Sequence, residues 1–308
     1  KQGVDLTKTV RGTDAFIEWK LVTTWPKGLP GLGAAPEDFA RRVNEASGGR
    51  LRIKVFGAGE IVPPFEVFDA VSRRVAEAGH GASYYWKGKI PASVFYTAVP
   101  FGMTAQEANG WLHYGGGLEL WRELYAPFGV VPFAGGSTGV QMAGWFNKRL
   151  NNREDLAGLK MRIPGLAGEV FDAAGGSAVR IAGGEVYTSM QTGVIDGVEW
   201  VGPYNDRTLG LMEVGDYYYY PGWHEPGAML EIIVNEEALA ALPEDLQAIV
   251  TVAARATNSD MLDDFTAHNS ESLEILLRDF DMELLPLPDD VMDILYAERQ
   301  GAVQARIA

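Results

Sequence analysis

The chain has 308 residues, a formal net charge of −15 and no cysteine; 47% of its residues are hydrophobic and 22% are charged. This length and balance are typical of a soluble globular protein with two domains. The negative charge argues against nucleic-acid binding, and the lack of cysteine excludes disulfides, thiolate metal sites and a cysteine nucleophile.

No apolar run approaches the ~20 residues that a membrane-spanning helix needs. The sequence begins with Lys1 rather than Met, and we therefore expect a mature, exported chain whose leader has been removed. Because a negatively charged protein repels anions at long range, an anionic ligand would have to be held by a local arrangement of positive groups.

Strand and helix patterns alternate in the first third of the chain. Residues 16–22 and 51–56 are predicted strands. A helix is predicted to begin near Pro36 and to end at Gly48, and a second helix starts at Pro64. This β-α-β-α order predicts a mostly parallel sheet covered by helices.

A second set of elements begins near residue 130. Short strands are predicted at residues 131–134, 142–147, 160–163 and 179–181, and helices at about 168–174 and 185–191. Two later strands, 214–220 and 229–235, are predicted to return to the first domain. The predicted lobes are therefore residues 1–130 plus about 215–245, and about 131–214 plus 246–308.

The stretch from Pro243 to Phe280 has no further proline and no glycine, and apolar residues recur along it at helical spacing. A helix of this length exceeds the usual 8–20 residues, so we expect it to brace two domains or to kink midway. A strand at residues 282–287 and a terminal helix opened by Pro288 are predicted to follow.

Sequence motifs of common enzymes are missing. The chain has no Gly-x-Ser-x-Gly and no His-Glu-x-x-His, and the glycine-rich stretch 28–33 lacks the Lys-Ser/Thr ending of a phosphate-binding loop. His224 lies in a loop rich in proline and glycine between two predicted strands. A pocket-lining histidine and a packed loop histidine fit that position equally well.

Arg162 is the leading candidate for binding. It is flanked by Met161 and by Ile163-Pro164. A guanidinium is a planar, permanently charged fork that matches a carboxylate with two hydrogen bonds. A surface arginine in an ordinary ion pair is the alternative. Together, the run that contains Arg162 and the later segment 196–203 suggest the floor of a cleft built to grip a carboxylate. The aromatic run 84–86 lies where a β-α-β unit presents residues at a crevice.

These segments, together with residues 99–107 and 151–164, resemble the TRAP-type extracytoplasmic solute receptors. The similarity extends over nearly the whole chain and is greatest to the subgroup that binds small 2-oxo acids or lactate. It implies an α/β clamshell of two lobes joined by crossing hinge strands, with the ligand between the lobes. It also implies a long helix that spans both lobes, which gives the 243–280 segment a role.

The resemblance implies roles for individual residues. Arg162 matches the arginine that pairs with the ligand carboxylate, and a cation, sodium or calcium, lies beside the ligand. The implied cation ligands are the side chains of Gln141 and Glu199 and the backbone carbonyl of Trp200. Such mixed oxygen donors suit a hard cation, which a 2-oxo or 2-hydroxy carboxylate can also coordinate.

The further ligand contacts that the resemblance implies are Tyr84, Tyr85, Gln141, Trp200, Trp223 and Glu225. Among these, hydroxyl or indole groups would meet the 2-oxygen of the ligand, and Trp223 would cover its apolar end.

The functional hypothesis is a periplasmic receptor, not an enzyme, that delivers a pyruvate- or lactate-like anion to the permease subunits of a TRAP transporter. A homodimer built through the C-terminal helix is one expectation, and packing of that helix on its own subunit is the other. The rival hypothesis is a metal-assisted lyase acting on 2-oxo acids. It is disfavoured because no His or Lys directly adjoins Arg162 or Glu199 in the sequence.

Overall fold

The computed structural model describes residues 16–307. In chain order its strands are β1 (Ile17–Thr23), β2 (Leu51–Phe56), β3 (Ala78–Gly81), β4 (Val130–Gly139), β5 (Gly144–Phe146), β6 (Lys160–Arg162), β7 (Ser177–Val179), β8 (Gly197–Val198), β9 (Tyr217–Tyr220), β10 (Ala228–Asn235) and β11 (Glu283–Pro286). Its α-helices are α1 (Ala34–Ala46), α2 (Val67–Ser72), α3 (Ala105–Tyr114), α4 (Gly117–Tyr125), α5 (Gly165–Ala173), α6 (Val186–Gln191), α7 (Pro203–Thr208), α8 (Glu236–Ala240), α9 (Glu244–Asp279) and α10 (Asp289–Ile307).

The first lobe is built on a five-stranded sheet with the order β2-β1-β3-β10-β4. Strands β1, β2 and β3 are parallel, as the β-α-β-α pattern predicts, and β10 runs antiparallel to both of its neighbours. Every residue of β10 is buried, which is typical of a central strand covered on both faces.

The second lobe is built on a six-stranded sheet with the order β11-β9-β5-β8-β6-β7. Its strands are short, from two to four residues. Strands β6, β7 and β8 are parallel, so their carboxyl ends lie at the same edge of the sheet. Together the two sheets form the two-lobed α/β arrangement that the resemblance implies.

Two predicted lobe assignments are wrong at the level of the strands. Strand β4 was expected in the second lobe, but it pairs with β10 in the first sheet. Strand β9 was expected to return to the first lobe, but it pairs with β5 and β11 in the second sheet. Both errors have one cause, because strand pairing depends on distant residues that a local sequence pattern does not contain.

Two crossing segments link the sheets next to each other. Residues 140–143 lead from β4 to β5, and residues 221–227 lead from β9 to β10. The backbone N–H of Gln141 donates to the carbonyl oxygen of Glu225 at 3.2 Å, which ties the two segments together. They approach so closely that a Cβ on Gly222 would lie 2.0 Å from the Gln141 carbonyl oxygen, so this position requires glycine.

Helix α9 is continuous over 36 residues. It packs on β4 and α1 of the first lobe and on α7 of the second, so it braces both lobes as expected. Helix α10 packs mainly on α5 of its own chain, where Val291 and Leu295 are buried. None of the helices described between residues 16 and 307 is both long and apolar enough to span a membrane.

Candidate functional site

The carboxyl ends of parallel strands from both sheets meet between the lobes. Arg162 ends β6, and Glu199 directly follows β8. These strands are parallel neighbours, and Arg162 pairs with Val198, so residues 37 apart in sequence become adjacent in space. On the first lobe, Tyr84 and Tyr85 lie in a 3-10 turn just after parallel strand β3. Such edges are where open α/β sheets generally bind ligands.

Arg162 is buried at this edge, with 1% of its surface exposed. Its Nη1 donates to the Glu199 carbonyl oxygen at 2.8 Å and also contacts the Glu199 carboxylate. Its Nη2 donates to Tyr85 Oη at 3.2 Å, and its Nε donates to the Ile181 carbonyl oxygen at 3.2 Å. The guanidinium carbon lies 4.8 Å from the Trp200 ring centroid, within the range of a cation–π contact.

Two side chains of the crossing segment 221–227, one basic and one acidic, lie beside Arg162 and Glu199. His224 Nε2 lies 3.1 Å from Glu199 Oε2. Glu225 Oε2 accepts a hydrogen bond of 2.7 Å from Gln141 Nε2. One ligand atom each from Glu199, His224 and Glu225 lie within 4.8 Å of one another, and all three residues are buried.

The charges of this cluster do not balance when both carboxylates are ionised, since only Arg162 opposes them. Burial raises the pKa of Glu225 well above its ordinary value, and the negative charge of Glu199 raises it further. Burial lowers the pKa of Arg162, but Glu199, the neighbouring phenols and Glu225 together outweigh burial and raise it. The cluster therefore favours an added positive charge near the two glutamates.

The residues present fit a hard cation. Glu199 and Glu225 provide carboxylate oxygens, and Gln141 Oε1 is buried with no hydrogen-bond partner among residues 16–307. An unpartnered buried carbonyl oxygen is costly unless something coordinates it. Oxygen donors of this kind suit sodium or calcium. Among the same described residues, His224 Nδ1 also lacks a partner.

The first lobe contributes rings and hydroxyl groups. Tyr84 and Tyr85 pack edge-to-face, with ring centroids 4.8 Å apart. Burial raises the pKa of both tyrosines, so both phenols are neutral at ordinary pH. Trp25 lies 6.0 Å from the Tyr85 ring and 6.1 Å from the Trp200 ring, and thus connects the aromatic groups of the two lobes.

The lobes are closed over the cluster by polar contacts. Arg180 Nη1 of the second lobe donates to the Tyr85 carbonyl oxygen at 2.8 Å. Lys87 Nζ of the first lobe lies 3.0 Å from both the Gly165 carbonyl oxygen and the Glu169 carboxylate. The same Glu169 carboxylate also pairs with Arg306 of α10. The structure is therefore that of a clamshell with its two halves in contact.

Residues 21–300 match the family described as "Bacterial extracellular solute-binding protein, family 7". The chain belongs to this family. It is 44% identical, over 93% of its own length and 78% of the relative's, to a monocarboxylate 2-oxoacid-binding periplasmic protein of Nostoc sp.. The function of that relative agrees with the carboxylate-binding subgroup that the sequence motifs resemble.

Two solved structures share the fold closely, and both are TRAP periplasmic solute-binding proteins. The protein of Colwellia psychrerythraea, with bound calcium and pyruvate, is 41% identical and has a TM-score of 0.91. The protein of Pseudoalteromonas atlantica T6c, with bound sodium and pyruvate, is 42% identical and also has a TM-score of 0.91. Each comparison covers 94% of this chain and 88% of the other. The clamshell fold expected from the sequence is thus confirmed.

Most of the site residues that the sequence predicts lie close together in the structure. Arg162 contacts Glu199, Tyr85 and Trp200. Gln141 and Glu225 contact each other, and Tyr84 lies against Tyr85. Trp223 is more distant from Arg162: its ring packs on Phe101 at 5.8 Å and meets the cluster through His224, 5.7 Å away.

Three residues at the site were missed or left undecided by the sequence. Trp25 and Arg180 follow the parallel strands β1 and β7, so the strand-end rule that was applied to Tyr84 could have found them. His224 was left open between a pocket and a packed loop, and the structure puts it against Glu199. The sequence argument that no histidine adjoins Glu199 therefore does not hold in space.

Proposed function

We propose that this protein is the periplasmic component of a TRAP transporter and captures a small 2-oxo or 2-hydroxy monocarboxylate such as pyruvate or lactate. The ligand would be bound with a bridging cation and delivered to the permease subunits in the membrane. The observation that carries the proposal is the buried cluster of Arg162, Glu199 and Glu225 at the contact between the lobes.

The anion would be held by Arg162. Its guanidinium is fixed by the Ile181 carbonyl oxygen and the Trp200 ring, so it is oriented before the ligand arrives. A ligand carboxylate would take a guanidinium face now shared with Glu199 and Tyr85. The Tyr84 and Tyr85 hydroxyls are neutral donors for the 2-oxygen, and Trp200 and Trp223 supply apolar walls.

The cation would be held by Gln141, Glu199 and the Trp200 backbone carbonyl, with Glu225 completing the acidic surroundings. When bound, it would turn the repulsion between Glu199 and an anionic ligand into attraction. If Glu225 is ionised, one guanidinium faces two glutamates and the ligand carboxylate, and a divalent cation neutralises the buried site; if its raised pKa keeps Glu225 protonated, a monovalent cation does so. Calcium and sodium therefore both fit the charge count, and both suit the oxygen donors.

Capture would proceed by closure of the two lobes about the crossing segments. Contacts between the lobes support this motion, because Lys87 and Arg180 each bridge them by polar groups that can separate without breaking a core. Closure removes the ligand from water, which strengthens its pairing with Arg162.

Calorimetry with matched ligands tests the proposal. Pyruvate is titrated into the protein with excess calcium, and again with a chelator in sodium-free buffer. We expect binding only when a cation is present. Propionate has nearly the same shape but lacks the 2-oxygen, and we expect it to bind much more weakly. If neither pyruvate nor lactate binds with calcium or sodium, the proposal is wrong.

The same samples distinguish a receptor from a lyase. His224 beside Glu199 is a base that a metal-assisted enzyme would need. Pyruvate followed by proton NMR during long incubation with calcium and protein should remain intact for a receptor. Loss of pyruvate at a rate proportional to protein concentration would favour the enzyme instead.

Association with a second copy stays a prediction of the sequence. Light scattering with and without pyruvate would decide it, and we expect α10 to keep its packing on α5 in either case.

A further inference from the structure

Each lobe buries one carboxylate behind the site, with no cationic partner among residues 16–307. Glu231 in β10 is 0% exposed, and Asp206 in α7 is 1% exposed. Burial raises the pKa of each to about 7, and the hydrogen bonds that each accepts only partly offset this effect. Isolated buried carboxylates are costly, so their positions call for an explanation.

Glu231 holds the turn that carries the two site tyrosines. It accepts hydrogen bonds from Ser83 Oγ at 2.8 Å and from Trp86 Nε1 at 2.5 Å. Ser83 and Trp86 are the first and last residues of that 3-10 turn, and Tyr84 and Tyr85 lie between them. A third hydrogen bond comes from outside the turn, from Tyr125 Oη at 2.9 Å.

Asp206 holds the segment that follows Glu199 and Trp200 in the second lobe. One of its oxygens accepts hydrogen bonds from the backbone N–H groups of Val201 at 3.2 Å and Gly202 at 3.1 Å. These two residues directly follow the Glu199–Trp200 pair. The other oxygen accepts from side chains outside this segment, Trp145 Nε1 at 3.1 Å and Tyr218 Oη at 2.8 Å.

We propose that Glu231 and Asp206 are positioning residues that set the two halves of the site separately. Glu231 fixes the tyrosine turn and thereby the affinity for the anion. Asp206 fixes the Glu199–Trp200 segment and thereby the affinity for the cation. The inference rests on the proposed function, and it predicts that each half of the site can be weakened without the other.

The first variant is Glu231→Gln, which keeps the side-chain shape. Its amide oxygen can still accept from Trp86 Nε1, but its amide nitrogen then faces the Ser83 hydroxyl, which must reverse to accept, and the charge that strengthened both hydrogen bonds is gone. Calorimetry measures pyruvate binding at saturating calcium, and calcium binding with no pyruvate present. We expect pyruvate affinity to fall about threefold or more while calcium affinity stays within about twofold, since charge-assisted hydrogen bonds become neutral and weaker in one half of the site only.

The second variant is Asp206→Asn, for which the expected pattern is reversed. Its amide group would replace an oxygen that accepts from backbone N–H groups or from Tyr218 and Trp145. We expect calcium affinity without pyruvate to fall about tenfold, and pyruvate affinity at saturating calcium to change less than about twofold.

Two matched controls separate positioning from simple loss of stability. Tyr125→Phe and Tyr218→Phe each remove a hydrogen bond to the same carboxylate from outside the site segments. We expect both to lower the melting temperature and to leave both affinities unchanged. Should Glu231→Gln fail to fold, Ser83→Ala removes a donor from the tyrosine turn and is expected to lose pyruvate affinity alone.

The measurements distinguish failure of the proposed function from failure of the positioning roles of Glu231 and Asp206. A wild-type chain that binds neither calcium nor pyruvate overturns the proposed function and this inference with it. If the wild type binds both ligands, the inference alone is overturned in either of two cases. In one, the variants weaken both ligands equally or not at all; in the other, Tyr125→Phe lowers pyruvate affinity as much as Glu231→Gln does.

Discussion

The two lobes bring different chemistry to the site. The second lobe supplies the charges Arg162 and Glu199, and the crossing segments add Gln141 and Glu225. The first lobe adds aromatic rings and hydroxyl groups, chiefly those of Tyr85. The charged groups of the site are thus assembled on the second lobe and the crossing segments, so most of the affinity for the ligand should come from there. Contacts from the first lobe would contribute mainly when the lobes close.

Removal of the central charge should have the largest effect. Arg162→Ala leaves Glu199 and Glu225 buried with no guanidinium, and breaking a buried pair in this way costs about 3–5 kcal/mol. We expect pyruvate binding to be abolished in calorimetry. Arg162→Lys should not restore wild-type affinity, because an ammonium lacks the planar fork that engages a carboxylate, Tyr85 and Glu199 together.

A surface arginine gives the control for this pair of variants. Arg278 is exposed and pairs with its neighbour Asp279, so Arg278→Ala should bind pyruvate like the wild type. Unchanged affinity in Arg162→Ala would contradict the charge-bearing role of the second lobe.

The next expected effect is a pH dependence of stability that comes from Glu231, a carboxylate buried in the core of the first lobe. Glu231 has a pKa of about 7 in the folded chain against an ordinary value of 4.5. Between these pH values the unfolded chain loses the proton first, so rising pH favours unfolding. We expect the wild type to lose about 3 kcal/mol of unfolding free energy relative to Glu231→Gln between pH 4.5 and 7.

Denaturant unfolding of both proteins at several pH values measures this difference. His80 acts in the opposite sense: burial lowers its pKa to about 4, so its contribution grows as pH rises from 4 to 6.5. Because both proteins retain His80 and Asp206, these contributions cancel in the difference. A difference that stays constant with pH would show that the Glu231 pKa is not raised.

The hydroxyl of Tyr85 should matter less than the charge it contacts. Tyr85→Phe keeps the ring and removes the hydroxyl that is proposed to donate to the 2-oxygen of the ligand, a hydrogen bond worth about 1 kcal/mol, or roughly a fivefold loss of pyruvate affinity. Tyr96→Phe is the control in the same lobe, since that ring stacks on Trp121 away from Arg162. A loss of affinity in Tyr85→Phe as large as that in Arg162→Ala would contradict the claim that most of the affinity comes from the second lobe and the crossing segments.

The smallest effect is expected at the rim of the cleft. Lys87→Met removes a partly exposed ion pair between the lobes, and such pairs contribute about 0.2–1 kcal/mol. Pyruvate affinity should fall a few-fold at low salt, and less at high salt because ions screen the pair. Lys89→Met is the matched control, since Lys89 pairs with Asp69 inside the first lobe. Equal losses in both variants would mean that Lys87 does not act through closure.

The sequence revealed the site where local pattern and strand order carry the information. Arg162 lies in the predicted strand 160–163 and ends β6, whereas no strand was predicted before Glu199, whose place at the site came from the family resemblance. The structure shows why they meet: β6 and β8 are parallel neighbours, whose carboxyl ends lie at one edge of the sheet. The length of α9 and its bracing role were visible for a similar reason, because its pattern is continuous and contains no helix breaker.

Other features depend on distant residues and could not be predicted. The second half of β4 contains Gly135 and Gly136, and a glycine-rich stretch resembles a loop in sequence. It is a strand because it pairs with β10. Glycine is required there because neighbours approach closely: a Cβ on Gly135 would lie 2.5 Å from Ile232 N, and one on Gly136 would lie 2.3 Å from Met261 Sδ. The partners of Glu231 are more than 100 residues distant in sequence, beyond the reach of any local motif.

The carboxylate of Glu169 has two cationic neighbours on different parts of the protein. Lys87 reaches it across the cleft, whereas Arg306 reaches it from α10 in the same lobe. When the lobes separate, Lys87 departs but Arg306 remains, so opening does not leave an orphaned negative charge on α5. The free-energy cost of separating Lys87 from Glu169 is therefore small. A receptor that must release its ligand in every transport cycle benefits from an ion pair between the lobes that breaks at low cost.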